Sequence, residues 1–254
     1  MILETFQLHG KNALVTGSRR GLGKAVAIGL AEAGANVLCH GHDPHPGDVC
    51  DNIRKLGRKT DYLAADVADP AAPAALIEKM IADFGSIDIL VNNAGIIRRA
   101  PASEHSVEDW DAVIAADLSA VFRLSQLAGR WMLKQQRKGK IVNIASLLSF
   151  QGGIRVPAYA AAKGGVVQLT RAFSNEWAAQ EINVNAIAPG YMATDNTAAL
   201  RNDPVRNRQI QERIPAGRWG KPEDVAGAAV FLSSSASDYV HGHVLVVDGG
   251  WLSR

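Results

Sequence analysis

Tyr159 and Lys163 stand four residues apart in the run Tyr159-Ala-Ala-Ala-Lys163, within a stretch that reads as a helix. That spacing puts a phenol and an ammonium on one helix face. A free tyrosine titrates at about pH 10 and is a poor base at neutrality, but a neighbouring cation stabilises the phenolate. Ser146 directly follows the apolar run Lys140–Ala145, and its hydroxyl can hydrogen-bond a carbonyl oxygen. Together the three groups could exchange a proton with an alcohol or ketone and steady its oxygen. Taken alone, a Tyr–Lys spacing also describes an ordinary surface pair. The three groups converge only if the run before Ser146 and the helix carrying Tyr159 are neighbours.

A second set of residues suits a phosphate-bearing ligand. Thr16-Gly17-Ser18-Arg19-Arg20-Gly21-Leu22-Gly23 follows the first apolar run and opens the first helical one. Glycines there permit a tight turn and close backbone approach, and a helix N-terminus attracts a pyrophosphate. The same spacing also occurs in merely structural turns, so its position after the first strand carries the reading. Asp66-Val67 closes the third strand, where a carboxylate can accept from an adenine amino group and the next N–H can donate to the ring. Asn92-Asn93-Ala94-Gly95 closes the fourth, and its small residues leave room for a ligand against backbone.

These residues require elements that hold them at one edge of a sheet. Apolar runs at 12–16, 37–40, 59–65, 87–91, 140–145, 182–187 and 244–247 read as strands. Helical patterns cover 22–33, 71–84, 107–134, 159–179 and 222–232, with Gly34 stopping the first. Strands apolar throughout, alternating with helices, predict an α/β fold: a doubly wound parallel sheet of about seven strands with helices on both faces. No linker, repeat or low-complexity tract divides the 254 residues, so 1–254 is expected as one dinucleotide-binding and catalytic domain. Ser106 with Asp109 reads as a capping box, and Pro222 suits a first helical position. The polar segment 195–213 follows the sixth strand, where an open α/β sheet keeps its ligand crevice. A solvated surface helix remains an equal reading for it.

Composition narrows the function further. With 27 Lys and Arg against 25 Asp and Glu, the net charge of +2 provides no field to recruit nucleic acid or a membrane. A hydrophobic share of 47% excludes disorder. Residues 1–11 lack the basic start and apolar stretch of a signal peptide, and the run 225–232 is too short to span a bilayer, so a cytoplasmic location is expected. Cys39 and Cys50 read as small reduced hydrophobes. The histidines, His241 and His243 included, show no ligand spacing, so no catalytic metal is expected.

The combination resembles the short-chain dehydrogenase/reductases, from Gly10-Lys11 to Asp248-Gly249-Gly250 and through every motif above. The resemblance implies a Rossmann-type fold, a nicotinamide cofactor and hydride transfer at a carbinol or carbonyl carbon. It implies Tyr159 as general acid/base and Ser146 as the group polarising the carbonyl. Lys163 is implied to hold the nicotinamide ribose and favour the phenolate. Gly17, Arg19, Arg20, Gly21, Leu22, Gly23, Asp66, Val67, Asn93, Ala94 and Gly95 are expected on the cofactor, with Tyr159 and Lys163. Pro189, Gly190, Met192 and Thr194 of the run PGYMAT join them. One position departs from the family: Asp117 stands where an Asn usually anchors a proton-relay water. A carboxylate can hold a water or the Lys163 ammonium, but donates only when protonated. The expectation is a working relay with Asp117 substituted.

For the substrate, Arg98, Arg99 and Arg155 fall in loops expected at the crevice, where a guanidinium binds a carboxylate bidentately. Arg155, between Ser146 and Tyr159, is the first choice of the three. Gln151, Asp195 and Asn196 could address hydroxyls, so a small hydroxylated acid is expected. The alternatives are a reductase of another carbonyl, an acyl thioester included, and a non-catalytic dinucleotide sensor. Cofactor choice stays open. Gly41 falls where NAD enzymes place an acid for the ribose 2′-hydroxyl, Asp43 comes two residues late, and Arg19 or Arg20 could face a 2′-phosphate. NAD is expected, with NADP possible. A homotetramer is expected, because the helices at 107–134 and 159–179 carry apolar residues on more than one face.

Overall fold

The computed structural model describes all residues from Met1 to Arg254. Seven parallel strands form one sheet: β1 (Asn12–Val15), β2 (Asn36–Gly41), β3 (Thr60–Ala64), β4 (Ile89–Asn92), β5 (Gly139–Ile144), β6 (Ile182–Pro189) and β7 (Val244–Val247). Their spatial order is β3-β2-β1-β4-β5-β6-β7. The helices are α1 (Gly21–Glu32), α2 (Val49–Lys55), α3 (Ala72–Phe84), α4 (Val107–Ile114), α5 (Ala120–Lys134), α6 (Pro157–Trp177), α7 (Ala198–Asn202), α8 (Pro204–Arg213) and α9 (Glu223–Ser233).

Alternating strand residues point to opposite faces, and both faces are covered, which is why the strands read as unbroken apolar runs. Ala13, Val15, Val37, Cys39, Ile89 and Val91 join one core with Val26 and Leu30 of α1 and Val225 and Ala229 of α9. Leu14, Leu38, Leu90, Ile141 and Val184 join the other with Leu76 of α3, Leu124 of α5 and Phe173 of α6. Both cysteines are free and buried in the first core. Crossovers from β1 run outward one way and from β4 the other. The sheet therefore has its switch point between β1 and β4, where the carboxyl ends open a crevice.

Three local expectations change. The run 107–134 is long and apolar enough to cross a membrane by composition alone, but half of its most apolar window is buried inside the fold. It is also not one helix, because a π turn at Ala115–Ser119 separates α4 from α5 and carries Asp117. Such turns recur at functional sites, where they re-aim a side chain. At the start of α4, Ser106 accepts from the Asp109 backbone N–H, which is half of the expected capping box. Finally, 195–213 holds a short turn followed by α7 and α8, and Asp203 caps α8 by accepting from Val205 and Arg206 N–H.

Candidate active site

The turn after β1 is built around contacts only glycine allows. Gly17 has φ +64°, and a Cβ there would stand 2.9 Å from Ala94 Cα. A Cβ on Gly23 would overlap Gly17 O and Asn93 Nδ2. Asn93 ties the turn after β4 to this one, its Nδ2 donating to Thr16 O (2.9 Å) and Gly17 O (3.1 Å). Thr16 Oγ1 accepts from Asn93 N and Ala94 N, each at 3.0 Å. The N-cap residue Arg20 makes no side-chain cap, so the first N–H groups of α1 are left to the crevice. A cradle that a Cβ would fill, beneath an uncapped helix N-terminus, fits a dinucleotide pyrophosphate.

His40 holds this cradle from below. Its Nδ1 accepts from Gly17 N–H at 3.0 Å, and its Nε2 lies 3.0 Å from Ala65 O. Both contacts are met by the neutral ring protonated at Nε2. Burial lowers the His40 pKa to about 4, with the Ala65 carbonyl and Asp66 opposing the shift. Nothing in the spacing of residues marked this histidine, which reads simply as part of β2.

A cleft of about 1250 Å³ runs along the carboxyl edge of the sheet. It is lined by Gly17, Arg19, Arg20, Gly21, Leu22 and Gly23, by Asp66 and Val67, and by Asn93, Ala94 and Gly95. Pro189, Gly190 and Thr194 also line it, as do Ser146, Gln151, Tyr159, Lys163, Asp117, Arg98 and Arg99. Two expected residues do not. Met192 is buried, its side chain packed in the first core, and a Cβ on Gly220 would overlap its Sδ. Arg155 lies exposed outside the cleft lining, with φ +65° and its carbonyl accepting from Ala100 N–H at 3.1 Å. The turn that bridges Ser146 and Tyr159 directs that side chain away.

Asp117, Ser146, Tyr159 and Lys163 line the same cleft. Tyr159 is half-buried, with no hydrogen bond from its hydroxyl to the rest of the chain. Lys163 Nζ lies 5.6 Å from the centre of the Tyr159 ring and donates to Ile144 O at 2.9 Å. The carbonyl ending β5 thus fixes the ammonium. Ser146 Oγ accepts from Leu148 N–H at 3.2 Å, keeping its own proton to give. Asp117 is fully buried, with Oδ1 accepting from Ile96 N–H at 2.8 Å. Its Oδ2 has no hydrogen-bond partner and stands 3.5 Å from Lys163 Nζ. Burial raises the Asp117 pKa, and Lys163 opposes that shift. A network through Asn92, Ser125, Asn143 and Thr170 locks β4 and β5 to α5 and α6 beneath these groups.

At the end of the cleft beside β2, Arg19 stands 3.3 Å from Asp43 and donates to His45 O at 2.8 Å. Gly41 carries no carboxylate, and a Cβ there would overlap the Tyr62 hydroxyl. The segment 195–213 supplies Arg206, Gln209 and Arg213 to the far end of the cleft, in line with its crevice reading, and Tyr191 and Trp251, not singled out in the sequence, close it. Ile210 of α8 and Ile214 just after it, at a four-residue spacing, mark the buried side of this segment. His241 and His243 precede β7, His241 Nε2 lying 3.2 Å from Asn183 Nδ2. No group of three His, Cys, Asp or Glu side chains is placed to hold a metal ion.

Comparison with known proteins agrees with this geometry. A family model described as enoyl-(acyl carrier protein) reductase matches residues 17–252. The 2-dehydro-3-deoxy-D-gluconate 5-dehydrogenase of Dickeya dadantii is 55% identical over 254 residues, covering 100% of both chains. A crystal structure from Agrobacterium tumefaciens with bound NADP is 57% identical, covers 98% of this chain and 99% of its own, and superposes with a TM-score of 0.93. A gluconate 5-dehydrogenase from Burkholderia cenocepacia, in complex with NADP and tartrate, is 41% identical, covers 100% of both chains and gives a TM-score of 0.95. With its sheet order, its glycine cradle and its converging Ser146, Tyr159 and Lys163, the chain belongs to the short-chain dehydrogenase/reductase family, the NAD(P)-dependent oxidoreductases of CH–OH groups.

Proposed function

We propose that this protein interconverts a hydroxyl and a keto group on a small deoxy-keto sugar acid, 2-dehydro-3-deoxy-D-gluconate being the first candidate. One observation carries the reading most directly: a free Tyr159 hydroxyl stands beside a fixed Lys163 ammonium in the cleft that holds the glycine cradle. The names of full-length relatives at 55% identity support the substrate class. So does the hydroxy acid tartrate in the Burkholderia cenocepacia structure.

The glycine cradle and the N-terminus of α1 hold the pyrophosphate, and Asp66 with Val67 holds the adenine. Asn93 to Gly95, Pro189, Gly190 and Thr194 form the walls of the cofactor channel. When bound, the nicotinamide supplies the redox chemistry. In the oxidising direction Tyr159 Oη accepts the proton of the substrate hydroxyl, and in the reducing direction it returns it. Ser146 Oγ–H donates to the same substrate oxygen and steadies the charge that builds there. Lys163 orients the cofactor ribose and, held by Ile144 O, keeps a positive charge beside the phenol. Asp117 balances that charge from the other side and offers Oδ2 to a relay water. Gln151, Arg98 and Arg99 face the substrate end of the cleft.

The adenosine end accommodates both dinucleotides. No carboxylate occupies position 41, and Arg19 can exchange Asp43 for a 2′-phosphate. Residues 1–254 act as one unit in the cytoplasm, as a homotetramer. Among the apolar residues of these two helical runs, Val113, Val121, Leu124, Val166, Val167, Phe173 and Trp177 are buried in the fold, while Trp110 and Phe122 remain exposed. Those two, with exposed Val107 and Leu133, leave an uncovered face on α4 and α5. Initial rates over a panel of sugar acids, with NAD and NADP at equal concentration, test the activity. Turnover confined to acyl thioesters, or tight cofactor binding without turnover on any keto acid or polyol, would refute it.

A further inference from the structure

Six arginines line the cleft: Arg19, Arg20, Arg98, Arg99, Arg206 and Arg213. Five are already engaged within the chain. Arg19 pairs with Asp43 and Arg20 with Asp195. Arg98 pairs with Asp109 at 3.2 Å, and Arg99 donates to Asn196 O at 3.3 Å. Arg206 donates to Gln209 Oε1 at 2.8 Å. Arg213 alone makes no hydrogen bond or ion pair. Its guanidinium carbon lies over the Trp251 ring instead, 4.0 Å from the ring centre.

Stacking fixes a guanidinium without using its N–H donors, which point outward from the edge of the plane. The ring beneath it is itself held. Trp251 is buried, its Nε1–H donates to Gln151 Oε1 at 3.1 Å, and the Tyr191 ring centre lies 4.6 Å away. Ile210 of the same helix and Ile214, just after its end, pack with Trp251 against Leu147, the residue after Ser146. Arg213 is therefore carried on the wall that adjoins the carbonyl-polarising serine.

Building on the sugar-acid reading above, we propose that Arg213 binds the substrate carboxylate as a pre-stacked fork, and so sets the preference for an acid. The recognition comes from α8 and the C-terminal Trp251, not from the turn between Ser146 and Tyr159. Gln151 serves both sides: its carbonyl accepts from Trp251, leaving its NH2 to donate to a substrate hydroxyl.

The test compares kcat/KM for 2-dehydro-3-deoxy-D-gluconate and for its carboxamide, in wild type, Arg213→Met and Arg208→Met. Arg208 lies on the same helix but off the cleft, and its replacement makes the same change of charge. A charge-assisted contact of this kind is worth roughly 10–150-fold in affinity. Arg213→Met should lose about that factor on the acid and under about threefold on the carboxamide, with dinucleotide affinity and melting temperature unchanged. Arg208→Met should lose neither. Equal losses on both compounds, or no loss on the acid, would overturn the proposal and reduce Arg213 to a packing residue on Trp251. A wild type that turns over no sugar acid overturns the substrate reading beneath it, and shows this before any variant is made.

Discussion

Lowering the pH toward 5 should reduce the stability of the fold through His40, and the size of the effect follows from its surroundings. His40 is 2% exposed, its Nδ1 accepts from Gly17 N–H, and its pKa is lowered to about 4 chiefly by burial. In the unfolded chain the same imidazole titrates at about 6.5. A base with a depressed folded pKa contributes stability that is present above the unfolded value and lost as pH falls through the interval. The interval of about 2.5 units corresponds to about 3 kcal/mol in full, of which about 2 kcal/mol has gone by pH 5. Urea unfolding of wild type and His40→Asn at about pH 7.5 and pH 5 reads this directly. Asn can still accept from Gly17 N–H but does not titrate, so wild type should lose about 2 kcal/mol more than the variant between the two conditions. Dinucleotide affinity of the folded protein should stay level over the same window, because within the fold His40 keeps its neutral ring until the pH nears 4. Parallel losses in both proteins would refute the assignment of His40 as the neutral support of the cradle.

Gly23→Ala should weaken dinucleotide binding tenfold or more by equilibrium titration, because its Cβ overlaps Gly17 O and Asn93 Nδ2 and overpacking costs about 1–3 kcal/mol. Asp117→Asn should leave an active enzyme but remove one ionisation from the acid side of the kcat/KM profile. The Asp117 carboxyl is raised by burial and, when ionised, balances Lys163 at 3.5 Å. A wild type that is inactive and is rescued by Asn would show that the carboxylate cripples the site.

What was legible in the sequence is what burial and local spacing encode. The sheet could be read because both its faces are covered, leaving β1 and β4 no polar alternation to blur them, while the two alternating asparagines of β6, Asn183 and Asn185, are buried with the rest of the strand. Tyr159, Lys163 and Ser146 could be read because a helical spacing and a strand end fix where they point. Asp117 was legible as a departure, but not the π turn that carries it, since a run apolar on more than one face has no single stripe whose drift would reveal a local change of pitch. The short helix α2, flanked by Asp48 and Gly57, gives too little periodicity to detect. Arg155 misled because nearness in sequence to Ser146 and Tyr159 says nothing about direction at a residue with φ +65°. Arg213 could be read only as the end of a polar segment at the crevice, because its contact with Trp251, far away in the chain, is made only by folding.

The central claim is that Tyr159 moves the proton in a dinucleotide-dependent redox reaction. Tyr159→Phe keeps the ring and removes only the hydroxyl, which makes no hydrogen bond to the rest of the chain. Turnover of the sugar acid should fall by about 10²–10⁴-fold, while NADP affinity, followed by fluorescence titration, stays within about twofold of wild type. A variant that keeps a near wild-type rate would contradict the account, as would one that loses rate only because it no longer binds the dinucleotide.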